Sequence, residues 1–235
     1  RVFDKLIYQN CYIKHKSKNF DFYYGSTLDI KRLDVVLKDI DCVLHLAEIV
    51  GDPASSLNSD ITVQNNYIST ENVVKTCIKN KIKKLIYFSS CSVYGHNTKL
   101  VNEKSNLNPL SLYASCKIAS ESALKDFSKY NNINIVIFRL ATLHGYSQRQ
   151  RFDLVVNKLV IESIYNKKIF ITGGKQWRPF LSLKDLSNVT LHFINYNLKS
   201  NYEIFNIGSN QENYRIIDFS KHIKEELPKT KVVIS

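Results

Sequence analysis

Cys42-Val43-Leu44-His45-Leu46-Ala47 is nearly continuous in apolar character. A strand with one wet face alternates polar and apolar residues, whereas a strand covered by helices on both faces has no need to. The run is therefore predicted to be a strand inside a parallel sheet. Working outward, short apolar runs recur at residues 2–6, 20–24, 84–89, 133–140, 169–172, 203–207 and 231–234. Stretches of helical period separate them near 30–38, 62–80, 112–130, 152–165, 183–196 and 216–227. This alternation implies an α/β fold, a doubly wound parallel sheet with helices on both faces. No repeat or linker interrupts it, so a second lobe has to be woven into the first.

Composition bounds the rest. The 235 residues are 44% hydrophobic and 23% charged with 7 Gly and 4 Pro, which fits a globular chain and neither a fibre nor a disordered tail. No apolar run approaches the roughly 20 residues of a membrane span, and no signal peptide opens the chain. The 5 Cys (Cys11, Cys42, Cys77, Cys91, Cys116) show no CxxC spacing, against a disulfide framework or a metal site and in favour of a reducing cytoplasm. A net charge of +12 comes from dispersed Lys, with small clusters at 14–18 and 79–84. The second falls where a helix should end, a favourable place for cations. No focused stripe of Arg and aromatic residues accompanies it, so the charge reads as a solvated surface and not as a nucleic-acid face.

The chain has no Met, starts in one predicted strand and stops in another. A fragment is expected, truncated at both ends.

Open parallel sheets bind ligands beyond the carboxyl ends of their strands. Asp4, Asp29, Ala47-Glu48, Ser89-Ser90 and Thr142 all follow predicted strands. Tyr113-Ala114-Ser115-Cys116-Lys117 opens a predicted helix, where residues four apart share one face. An ammonium beside a phenol favours phenolate, so Lys117 is expected to pull the Tyr113 pKa down. The hydroxyl-rich turn Phe88-Ser89-Ser90-Cys91-Ser92-Val93-Tyr94-Gly95 offers Ser90 as a partner for the oxygen that Tyr113 deprotonates. His45, flanked by apolar residues, reads as a core histidine, and Cys91, with no base beside it, as a packed thiol.

At these residues the sequence resembles the extended short-chain dehydrogenases/reductases, the NAD-dependent epimerases/dehydratases. The resemblance covers nearly the whole chain. It rests on Asp29-Ile30, His45-Leu46-Ala47, Asn66 with Thr70, the Ser-Ser-Cys-Ser-Val-Tyr-Gly turn, Tyr113 with Lys117, Phe138-Arg139-Leu140, Arg178-Pro179-Phe180 with Asp185, and Asn206-Ile207-Gly208. The stretches from Ile49 to Pro53 and from Arg151 to Asn157 look like a nucleotide-sugar branch. The resemblance implies a Rossmann-like NAD-binding domain at 1–141 and 180–208, and a smaller substrate-binding lobe at 142–179 and 209–235. The family's first strand, GxxGxxG turn and first helix are missing, so these residues alone are expected to bind NAD poorly and to aggregate.

By the same resemblance, Tyr113, Lys117 and Ser90 are catalytic. Asp4, Asp29, Ile30, Leu46, Ala47, Asn66, Ser89, Tyr113 and Lys117 hold NAD, with Asp4 on the adenosine ribose, where an acid favours NAD over NADP. Ser90, Thr142, Asn157 and Arg178 face the nucleotide sugar, Arg178 on the diphosphate, with Arg149 and Arg151 as further candidates. Relatives that eliminate water carry Thr-Asp-Glu where this chain has Ser90-Cys91-Ser92, so an epimerase is expected over a dehydratase. A keto-sugar reductase and a non-catalytic cofactor- or RNA-binding relative are the alternatives. A homodimer through the helices at 62–80 and 112–130 is expected. Glu48 departs from the pattern, which has a small residue there; a carboxylate beside the cofactor phosphates is unfavourable unless it turns away.

Overall fold

The computed structural model describes residues 1–7, 17–97 and 99–235. Cys11, Lys14 and Lys16 lie outside the described residues. In chain order the first elements are β1 (Val2–Asp4), β2 (Phe22–Tyr24), α1 (Ile30–Val36), β3 (Cys42–His45), α2 (Asp52–Ser55) and α3 (Ser59–Val63). A π turn (Gln64–Ile68) leads into α4 (Ser69–Lys79), followed by β4 (Lys84–Ser90), a 3-10 turn (Cys91–Tyr94), α5 (Leu112–Tyr130) and β5 (Asn134–Leu140). The remainder is β6 (Thr142–His144), α6 (Val155–Asn166), β7 (Lys168–Ile171), β8 (Trp177–Ser182), α7 (Leu183–Asn195), β9 (Tyr202–Ile207), β10 (Asn213–Arg215), α8 (Asp218–Glu226) and β11 (Lys231–Ile234).

The chain divides into two compact units, Arg1–Leu140 with Ser187–Ile207, and Ala141–Leu186 with Gly208–Ser235. In the first, β3-β4-β5-β9 form a parallel sheet and β1-β2 a separate parallel pair. Leu85, Ile86 and Tyr87 of β4 and Ile135, Val136, Ile137 and Phe138 of β5 are wholly buried, so consecutive side chains on both faces are covered. Helices α1, α4 and α5 supply Leu33, Val73, Val74, Cys77 and Leu124 to this core.

The deciding run 42–47 behaves differently. His45 is buried, but Leu44 is 39% and Leu46 56% exposed. Among the described residues β3 bonds only to β4, so one edge and part of one face lack cover. The strand also ends at His45, two residues early. β1 stops at Asp4 instead of residue 6, because Leu6 takes a left-handed conformation (φ 49°) that turns the chain.

Side-chain caps fix several helix starts. Asp29 accepts from Arg32 N, Asn58 from Ile61 N and Ser111 from Ala114 N, each filling an orphan donor of a first turn. The predicted helix at 62–80 is two helices joined by the π turn, which points Asn66 inward. The one predicted from 152 starts at Val155, since residues 152–154 form turns, and the one predicted from 216 starts at Asp218.

The second unit holds a mixed sheet β10-β8-β6 and a parallel pair β11-β7 around Leu159, Ile169, Ile171, Ile216 and Ile223. Residues 180–186 fall here and not with the first unit, because β8 pairs with both β6 and β10. No described helix is long and apolar enough to cross a membrane.

Candidate active site

Strand β4 delivers Ser90 to its carboxyl end, where the 3-10 turn begins. The Ser90 hydroxyl accepts from Ser92 N at 3.1 Å. Gly95 closes the turn at φ +63°, and a Cβ there would lie 1.9 Å from the Asn108 carbonyl oxygen. Tyr113 and Lys117 stand one turn apart on α5, just past the Ser111 cap. Ser90 lies beside the Tyr113 phenol and favours its ionised form. Ser90, Tyr113 and Lys117 are thus brought together.

Burial raises the phenol's pKa above the usual value of 10; Lys117 pulls it down as expected, and Glu48 pushes it up again. The net direction is upward, because burial, with the Glu48 charge, outweighs the ammonium.

Glu48 does turn inward. It borders a cavity at the strand ends, yet its side chain is only 1% exposed. Glu48 Oε2 lies 2.7 Å from Lys117 Nζ, and Tyr87 donates its hydroxyl to Glu48 Oε1 at 2.6 Å. Lys117 Nζ also donates to the Phe88 carbonyl at 2.5 Å and sits over the Tyr87 ring (4.6 Å) and the Tyr113 ring (5.6 Å). Burial raises the Glu48 pKa, with Lys117 and Tyr87 opposing, and holds the Tyr87 phenol well above its ordinary range. His45 hydrogen-bonds Thr70 Oγ1 at 3.0 Å, and burial, then Lys117, lowers its pKa to about 3. It is a neutral core histidine.

The cavity is walled by Phe3, Gly25, Leu46 and Ala47, with Asp4 at its rim accepting from Leu6 N at 2.5 Å. Asp4, Leu46 and Ala47 therefore share one hollow. Asp29 is spent on capping α1, and Ile30 is 56% exposed beside it. Two other residues assigned to the cofactor point elsewhere. Asn66 is wholly buried and clamps Ile49, accepting from its N–H and donating to its carbonyl, both at 2.9 Å. Ser89 donates to Glu121 Oε1 at 2.5 Å inside the core. Both position the site from behind.

A buried ion pair went unnoticed in the sequence. Arg139 and Glu121, each with a side chain 4% exposed, meet at 2.6 Å, and Arg139 also donates to the Tyr94 hydroxyl at 2.9 Å. Tyr94 in turn donates to Asn206 Oδ1 at 2.6 Å. The signal was there in Arg139, a charge inside an otherwise apolar strand.

Thr142, Asn157 and Arg178 belong to the second unit. Thr142 on β6 lies opposite Phe180. Arg178 is exposed on β8 opposite Tyr214. Asn157 donates to the Arg151 carbonyl at 2.8 Å, and Arg151 pairs with Asp153. Among the described residues no cluster of His, Cys, Asp and Glu could hold a metal.

The NAD dependent epimerase/dehydratase family matches residues 1–208. The chain belongs to this family. A dTDP-D-glucose 4,6-dehydratase of Dictyostelium discoideum is 29% identical over 232 residues, 88% of this chain and 53% of that protein. A UDP-glucuronate 4-epimerase of Thermodesulfobacterium geofontis is 28% identical over 197 residues, 82% of this chain and 59% of that protein. Among solved structures, the UDP-glucuronic acid 4-epimerase of Bacillus cereus in complex with UDP-glucuronic acid and NAD superposes with a TM-score of 0.84 at 29% identity, covering 93% of this chain and 69% of the other. The chain spans little more than half the length of the two curated relatives. This epimerase/dehydratase chain has the Rossmann fold of its structural neighbours.

Proposed function

We propose that the chain carries the reacting residues of an NAD-dependent nucleotide-sugar epimerase acting at C4 of the sugar. The observation that carries the reading is the Ser90–Tyr113–Lys117 group at the end of β4, beside a turn whose Ser90-Cys91-Ser92 offers no carboxyl group. Elimination of water needs a further acid and base there, so epimerisation fits better than dehydration.

The residues of the hollow fit a dinucleotide's adenosine end. An exposed acid beside apolar walls suits ribose hydroxyls over a planar base, so Asp4, Leu46 and Ala47 would hold NAD there. NAD, when bound, supplies the acceptor and donor of hydride. Tyr113 Oη removes the proton of a sugar hydroxyl and later returns it. Ser90 holds the same oxygen and stabilises its developing charge. Lys117 adds positive charge beside the phenol. Arg178 offers a guanidinium fork to a diphosphate.

Helix α5 offers Ala119, Ala123, Phe127 and Tyr130 on a hollow that Glu71 of α4 also lines, a face on which small residues let a second copy approach closely. A cytoplasmic homodimer follows from this reading.

The test supplies UDP-sugars to the full protein and follows absorbance in the NADH band. Interconversion of C4 epimers without net NADH supports the reading. A stoichiometric change in NADH, formed in sugar oxidation or consumed in keto-sugar reduction, assigns the chain to a dehydrogenase or reductase instead.

A further inference from the structure

Glu48 replaces the small residue that its position calls for, yet the fold accommodates it completely. A carboxylate leaves water only at a cost of several kcal/mol unless a partner offsets it. The partner is Lys117, the ammonium one turn from Tyr113. The groups facing this pair come from every element around it. Strand β4 contributes Tyr87, β3 contributes His45 and α5 contributes Tyr113 and Cys116, while Ser90 and Cys91 in and after β4 act on Tyr113. His45 is neutral, Tyr87 is a donor to Glu48, and the Cys116 thiol is held protonated by burial. Lys117 and Glu48 are therefore the ammonium and the carboxyl group that face each other at 2.7 Å, with burial raising the Glu48 pKa and Lys117 and Tyr87 opposing it. An ammonium with a carboxylate 2.7 Å away acts on a third group as a dipole and no longer as a full charge.

We infer that Glu48 is a positioning residue that acts through Lys117, holding the ammonium as an internal counter-ion and weakening its pull on the Tyr113 phenol. This rests on the reading of Tyr113 as the base. With Glu48 ionised the pair carries no net charge, so the phenol keeps its proton to a higher pH than it would beside an unpaired Lys117. The opposing pushes of Lys117 and Glu48 on Tyr113 agree with that direction.

The test titrates the Tyr113 phenol in the full protein, from phenolate absorbance, by subtracting the same protein carrying Y113F. E48Q keeps the volume and removes the charge; E48A restores a small residue. Both are expected to lower the midpoint by about one pH unit or more. In a K117M background, E48Q should move it by less than about a third of a unit. An unmoved midpoint in E48Q overturns the inference even if E48A fails to fold, and so does a full shift in the K117M background. The acid limb of kcat against pH should follow the phenol in E48Q. A Glu48-dependent phenol in a protein without epimerase turnover upholds the counter-ion and discards the epimerase. Turnover with an unmoved phenol does the reverse.

Discussion

Glu121 accepts from Arg139 and Ser89 in a space that water does not reach, so its loss leaves a guanidinium buried without its counter-charge. Breaking a buried pair from one side costs about 3–5 kcal/mol. E121A should therefore lower unfolding stability by about that amount, read from urea denaturation of the full protein, and E121Q by less because it keeps the acceptor oxygen. A loss under about 1 kcal/mol in E121A would mean that Arg139 finds another partner. Residues at this scale were only partly legible. Ser89 and Ser90 are neighbours on a strand, and alternation sends them to opposite faces. One had to point into the core, and β4's burial decides which. The inward turn of Glu48 had no such signal, since it depends on Lys117, far away in sequence.

Helix α5 was legible to the residue, because Ser111 caps its start and its apolar stripe runs without interruption to Tyr130. Strands β6, β8 and β10 were not. Two have only 3 residues, and β8 carries Pro179, which usually argues against a strand with neighbours on both sides. The π turn was missed because one extra residue per turn leaves the apolar spacing of 62–80 almost unchanged. The turn after β4 allows a sharp prediction. Gly95→Ala places a Cβ against the Asn108 carbonyl at a left-handed φ, so the turn must shift. Thermal unfolding should report a loss of about 2 kcal/mol or more, with the turnover proposed for the full protein falling as Ser90 moves. A variant as stable as the parent would show that the turn adapts freely.

At the scale of the whole molecule, His45 makes a contribution of definite sign to the pH dependence. Its folded pKa of about 3 lies below the ordinary histidine value of 6.5, so the unfolded chain takes up a proton first as pH falls. Stability is full above 6.5 and is lost progressively down to about 3. Between pH 7 and 5 the loss from this group is about 2 kcal/mol. Urea midpoints of the parent should fall with pH more steeply than those of H45Q; equal slopes would remove His45 from the account. The edge of β3 that has no partner among the described residues, with Leu44 and Leu46 exposed, invites pairing with another chain. The 235-residue chain should associate as concentration rises in size exclusion, and L44K should reduce this. A monomer at every concentration would count against it. Parallel order was readable in the apolar runs, but not which strand would stand open, because that depends on neighbours and not on the run itself. The woven division of the chain also has a consequence in time. Strand β5 must wait for its partner β9 until residues 141–186 of the other unit have left the ribosome. At about 5–20 residues per second that is several seconds during which the first unit's sheet is unfinished and its newest edge is available to chaperones or to a neighbouring nascent chain.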